Sequence, residues 1–351
     1  MGFVSSHRLV SKDHLVLIAV ISALVIASPS ISNYGYFDIT KVVYGQPNPD
    51  QTNSNTTNLV NTEDIPLKKV HVGDIDIAYK MFGKGDPILL IQGVGGSMDN
   101  WEPSILKELS SNHTVIIFDN RGVGNTTTGT KQFSIQQFAN DTVGLLDGLK
   151  IQKANVLGHS MGSIIAQQLA LTHPEKVNRL LLISSTCGGK EGIPNSPEHL
   201  KLEKKFMSSI VNNTPIEPQE IKTAVSLSYG PTWIKLHPNL LETIPANPKD
   251  LLPSGITPNT YVQQDNVVQN WKSTNWSGVC SQLPNISKPT LVMTGTEDFT
   301  ILAANSLIIA GKIPGAWLVQ IPAAGHPVMD QYPAAVGKIL NTFLSTTGQS
   351  S

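Results

Sequence analysis

From residue 66 onward, short and nearly continuous apolar runs alternate with longer stretches in which apolar residues return every three or four positions. Leu67 to Val72 and Ile75 to Tyr79 flank Gly73-Asp74, a pattern that predicts a β-hairpin. Ile88 to Ile91, Thr114 to Phe118, Asn155 to Leu157, Leu180 to Ile183, Thr290 to Thr294 and Trp317 to Ile321 predict further strands. The later runs lack a polar face, as strands of a mostly parallel sheet do when both sides are covered. Between them, Ser134 to Leu149 places Ile135, Phe138, Ala139, Val143, Leu146 and Leu149 close to a 3.6-residue period, with Ser134 as N-cap. Met161 to Leu171 and Ala334 to Leu344 predict two more helices. This alternation predicts an α/β chain, doubly wound around a mostly parallel eight-stranded sheet.

One stretch breaks the rhythm. Gly188 to Leu283 holds ten prolines and no strand pattern, and it is too long for a structureless loop inside a compact domain. It predicts a helical cap, residues 188–283, inserted into a core made of residues 65–187 and 284–348. Cys187 and Cys280 stand near the two ends of that cap. In an oxidising compartment they would close its base as a disulfide; otherwise they are two buried thiols. Spacing alone does not decide between these readings.

The N-terminal region has a different character. Leu15 to Ala27 is apolar apart from Ser22 and follows His7, Arg8 and Lys12. At 13 residues it is short of the roughly 20 that span a membrane and within the roughly 7–15 of a signal-peptide core. Residues 1–31 therefore predict a signal peptide or N-terminal anchor, with a buried helix as the competing reading. Residues 32–64, rich in Asn, Thr, Pro and Gln, predict a polar linker. The expectation is an exported protein, secreted or membrane-held through this segment alone, with its main domain outside the cytoplasm. A net charge of -1 and no basic stripe argue against a nucleic-acid partner. With no H-E-x-x-H, Cys cluster or P-loop, no metal and no cofactor are expected.

The chemistry centres on Gly158-His159-Ser160-Met161-Gly162. This G-x-S-x-G directly follows the predicted strand at 155–157 and opens the helix at Met161. Strand, sharp turn and helix form the nucleophile elbow, in which small residues two positions either side let a strained serine stand at the sheet edge. The segment from Gly158 through Gln167, continued by Ala170 and His173-Pro174-Glu175-Lys176-Val177, resembles the nucleophile region of α/β-hydrolase fold enzymes. The likeness is to their esterase, enol-lactonase and cofactor-free peroxidase branch. Asp119 to Asn125 resembles that family's D-x-R-G-x-G-x-S, Gly295 to Asp298 its G-x-x-D, and Gly325-His326 its G-H. Arg121, in the first of these, reads as structural.

The resemblance implies a triad of Ser160, Asp298 and His326, in the chain order that this fold uses. A serine hydroxyl needs a base within hydrogen-bond reach, and the base needs an orienting group. Backbone N–H groups of Val94 and Met161 would form the oxyanion hole. Gln92 departs from the His-Gly commonest there, and Asn125 from the usual Ser. Trp233 and Trp271 are candidates to bind substrate; core packing within the cap is the alternative. The implied activity is hydrolysis of a small-molecule carboxylic ester or lactone through an acyl-enzyme. The alternatives are an aminopeptidase or C–C bond hydrolase on the same triad, or a non-enzymatic small-molecule receptor using the hydrolase pocket. An aminopeptidase would need acidic cap residues. Glu198, Glu203, Glu217 and Glu220 are candidates that read more simply as a solvated helix face.

Overall fold

Eight strands pair into one sheet: β1 (Lys68–Val72), β2 (Ile75–Gly83), β3 (Asp86–Ile91), β4 (His113–Phe118), β5 (Ala154–His159), β6 (Val177–Ile183), β7 (Thr290–Gly295) and β8 (Trp317–Ile321). The computed structural model describes residues 59–245, 252–253 and 255–346. The predicted signal or anchor segment and most of the polar linker, through residue 58, lie outside the described residues. Among the described residues no helix is long and apolar enough to cross a membrane.

The sheet order is β1-β2-β4-β3-β5-β6-β7-β8. β2 pairs antiparallel with both β1 and β4, and every other pairing is parallel. The hairpin read from Gly73-Asp74 is therefore present, with Val72 opposite Ile75. Leu89, Leu90, Val156, Leu157, Leu181, Leu182, Val292 and Met293 in the central strands are fully buried, which accounts for their continuous apolar runs.

Helices α1 (Pro103–Ser110), α2 (Ile135–Gly148) and α3 (Met161–Thr172) connect the first strands. Ser134 caps α2 as its pattern predicts, its side chain accepting from the Gln137 N–H. α2 packs on α3 and on β1. α3 starts directly after β5 and packs on β3, β5 and β6, which is why it is apolar almost all round.

Between β6 and β7, among the described residues, the chain forms helices α4 (Pro197–Asn212), α5 (Pro218–Tyr229), α6 (Pro231–Leu236) and α7 (Pro258–Lys272), and contributes no strand to the sheet. Each of the four opens on a proline. At the first helical position the missing N–H is not needed and the fixed φ suits the helix. The prolines that make this stretch look irregular thus mark where its helices begin. Cys187 and Cys280 form a disulfide with Cα atoms 5.0 Å apart, and the Val279 N–H donates to the Cys187 carbonyl beside it. Helices α8 (Ala303–Lys312), α9 (Val328–Gln331) and α10 (Pro333–Ser345) follow the last two strands. α10 packs against α1.

Parallel pairing sends the carboxyl ends of β3, β5, β6, β7 and β8 to one edge of the sheet. The loops after β3, β5, β7 and β8 carry Val94, Ser160, Asp298 and His326, so four segments far apart in sequence converge where open α/β sheets place their ligands.

Candidate active site

Ser160 sits at φ 56° and ψ -123° between β5 and α3, a backbone conformation that costs a non-glycine residue roughly 1–3 kcal/mol. The turn is held by its surroundings. The Ser160 N–H donates to the Ile183 carbonyl on β6, and the Ser160 carbonyl accepts from the N–H and the hydroxyl of Ser163. A side chain at Gly162 would run into the Ile91 carbonyl, and one at Gly158 into the Gly162 carbonyl. Both glycines are therefore required by close backbone approach, as the motif spacing predicts.

His326 follows β8. Its Nδ1 lies 2.9 and 3.1 Å from the two carboxylate oxygens of Asp298. Asp298 is fully buried, and its Oδ1 also accepts from the N–H groups of Thr300 and Ile301. These acceptances pin the carboxylate so that it faces the imidazole and assign Nδ1 as the protonated nitrogen, leaving Nε2 free to act as a base. The neighbouring Glu297 instead accepts from the N–H and hydroxyl of Thr232 at the start of α6. Ser160 and His326 line the same cavity, of about 620 Å³. Among the described residues the Ser160 hydroxyl has no hydrogen-bond partner. Such contacts commonly tighten only when substrate is bound.

The loop after β3 is tied down at both sides of Val94. Gln92 Oε1 accepts from the Gly93 N–H, the Gln92 carbonyl accepts from Asn120, and the Gly95 N–H donates to Gln264 on α7. The Val94 N–H is left without a protein partner. Met161 opens α3, and the first N–H groups of a helix have no intrahelical acceptor. Both residues therefore carry uncommitted donors near Ser160, and Val94 lines the cavity. Gln92 stabilises its own loop in place of the more usual His. An added Cβ at Gly93 would lie 2.9 Å from that of Ser160, so this loop lies directly against the Ser160 turn.

His159 sits in the cavity wall beside His326, ring centroids 5.0 Å apart, with its Nε2 3.1 Å from the His326 carbonyl. Burial, and then repulsion from His326, lower its pKa to about 4. It is a neutral ring at physiological pH, donating to that carbonyl. The Ser184 hydroxyl donates to the same carbonyl. Sequence reading did not single out His159, because a histidine inside the motif carries no separate signal.

The two tryptophan candidates are corrected by the structure, since neither lines the cavity that holds Ser160. Trp271 is buried on the core side of α7; its Nε1 donates to the Thr186 carbonyl and its ring packs edge-on against Trp276. Trp233 stacks on His237 and meets Tyr332, lining a separate depression. Helical periodicity does not say which face of a cap helix turns inward. Glu203 is a second correction: it faces the cavity instead of solvent. Arg121 lies away from the cavity, fully buried and held by both oxygens of Asp141 and of Asp74. Its guanidinium holds Asp74 well below the usual carboxylate range. Its work is structural, consistent with its reading from the sequence.

With this geometry established, the chain belongs to the alpha/beta hydrolase fold family, whose model matches residues 86–333. It is 26% identical over 279 residues to a protein of Azorhizobium caulinodans provisionally named carbamate hydrolase RutD, covering 80% of this chain and 98% of that one. Among solved structures it resembles the enol-lactonase from Burkholderia xenovorans, with a TM-score of 0.62 and 22% identity over 80% of this chain and all of that one. It also resembles Est816, described as an N-acyl homoserine lactone degrading enzyme, with a TM-score of 0.60 and 26% identity over 79% of this chain and all of that one. Family, fold and hydrolase-named relatives together support an enzyme of hydrolytic type.

Proposed function

We propose that this chain is a serine hydrolase that cleaves a carboxylic ester or lactone through an acyl-enzyme. The observation that carries this reading is the buried Asp298–His326 pair in the wall of the cavity that holds the strained Ser160. Ser160 Oγ attacks the carbonyl carbon while its proton passes to His326 Nε2. Asp298 stabilises the imidazolium that forms. The N–H groups of Val94 and Met161 take the developing oxyanion. Collapse of the tetrahedral species expels the alkoxide, which takes the proton from His326. Water, deprotonated by His326, then attacks the acyl carbon and releases the acid and Ser160. Est816, at 26% identity, supports the lactone side of this reading through its description.

Export completes the proposal. The Cys187–Cys280 disulfide persists in oxidising compartments and is uncommon in the cytosol, in keeping with the predicted signal or anchor segment. Alkylation of thiols in protein from its native host, before and after reduction, tests this. Two thiols that alkylate without reduction would contradict export.

For the chemistry, the test is turnover of p-nitrophenyl esters from acetate to laurate together with fluorophosphonate labelling, each compared with Ser160→Ala. Turnover and labelling that both disappear in the variant support the reading. Folded wild-type protein that shows neither overturns it.

A further inference from the structure

Most of the cavity wall is apolar, but one patch is not. α4 turns His199 and Glu203 inward, one helical turn apart, and α7 turns Asp265, Gln269 and Lys272 inward at the same kind of spacing. These two cap helices pack on one another, so the five side chains form one polar surface in the wall of the chamber that holds Ser160. Glu203 is close enough to His326 to feel its charge, which places the patch within a small molecule's length of the reacting atoms.

The hydrogen bonding of this patch is incomplete. Glu203 Oε1 lies 3.3 Å from His199 Nε2, while its Oε2 is buried with no partner. Asp265 Oδ1 accepts from Gln269 at 3.3 Å, and its other oxygen accepts nothing. Among the described residues Lys272 makes no direct ion pair, but its charge acts on both carboxylates. A buried acceptor left open is costly, and Glu203 Oε2 in the chamber wall is complementary to a cation that carries donors. Burial, with the charge of Glu203, pushes Asp265 up to about 6, against the hydrogen bond from Gln269 and the charge of Lys272.

We propose that Glu203 and Asp265 form a substrate subsite for an ammonium or guanidinium group, so that the preferred esters or lactones carry a basic nitrogen. This rests on the serine-hydrolase reading above. Lys272 keeps the empty subsite from holding two uncompensated charges. The apolar walls accommodate the carbon chain between the basic group and the scissile carbonyl.

The test uses the full chain and a matched pair of esters, p-nitrophenyl 6-aminohexanoate and p-nitrophenyl heptanoate, which differ by an ammonium in place of a methyl. The readout is the ratio of kcat/KM for the two within each enzyme, so the active fraction cancels. Wild type is expected to prefer the amino ester by about tenfold or more, and Glu203→Gln and Asp265→Asn each to reduce that ratio about fivefold. A wild-type ratio near one, or a ratio unchanged in both variants, overturns the subsite while leaving the triad intact. Should the variants not fold, wild type decides alone: hexylammonium is expected to inhibit turnover of the heptanoate ester at about tenfold lower concentration than hexanol, and equal potency overturns the subsite. Absence of both ester turnover and fluorophosphonate labelling in folded wild type would remove the hydrolase reading, and this proposal with it.

Discussion

The backbone N–H of His326 donates to the carbonyl of Ser228 at 2.7 Å, so the loop that bears this histidine is bonded directly to the end of cap helix α5. Gln331 reinforces the junction. Its Oε1 accepts from the Gly325 N–H and its Nε2 donates to the Tyr229 carbonyl, each at 2.7 Å. The cap is therefore part of the support that positions the imidazole as well as the roof of the chamber. Gln331→Leu would leave a buried N–H and a part-buried carbonyl without partners, at a cost of about 2 kcal/mol. Urea unfolding should show that loss, and ester kinetics should show kcat falling more than KM rises, because the base is displaced while the chamber remains.

Asp298 accepts three hydrogen bonds and can be probed without emptying its site. Asp298→Asn preserves size but cannot hold His326 in the tautomer that frees Nε2. By analogy with other triads, kcat should fall roughly 10³- to 10⁴-fold, and Ser160→Ala should fall at least as far. Combining the two should add little, because the residues act as a unit. Steady-state kinetics of the two single variants and the double variant decide this, and additive losses would count against the triad.

The disulfide joins residues 93 positions apart. Cross-linking a loop of that size limits the unfolded chain by about 4–5 kcal/mol in the chain-entropy model, and measured losses on removal run to about 2–5 kcal/mol. Reduction, or Cys187→Ala with Cys280→Ala, should lower the unfolding midpoint by that order. The cap and the core would come apart at one transition if the bond acts on the whole fold, and at two if it acts on the cap alone. Scanning calorimetry with and without reductant separates these outcomes.

Asp265 holds its proton more tightly in the folded chain than in the unfolded one, because burial raises its pKa from 3.8 to about 6. The stability this supplies is fully present below about pH 4 and is lost as pH rises through about 6. Asp265→Asn removes that loss. It should be more stable than wild type by about 1–2 kcal/mol at pH 8, a figure reduced for the partial exposure of the side chain, and no more stable near pH 4. Denaturant midpoints across that range test the sign.

Sequence alone determined the eight strands, the helices that follow Ser134 and Ser160, the C-terminal helix and the sharp turn at Ser160. These are local signals: apolar runs set strands, Ser134 caps a helix within three residues, and Gly158 relieves a contact with the Gly162 carbonyl inside the turn; Gly162, by contrast, makes room for the Ile91 carbonyl on β3. Tertiary structure decided what depends on how distant surfaces meet. The two cysteines became a pair only because the cap returns its second end to within 5.0 Å of its first. Glu203 and Trp271 each sit on an amphipathic cap helix, and only docking turned the glutamate into the chamber and the tryptophan into the core. Gln331 joined the support of His326 through bonds to residues from two other segments. Helical periodicity sets which residues share a face, while the direction that face takes depends on the surface it packs against, which a one-dimensional pattern does not contain.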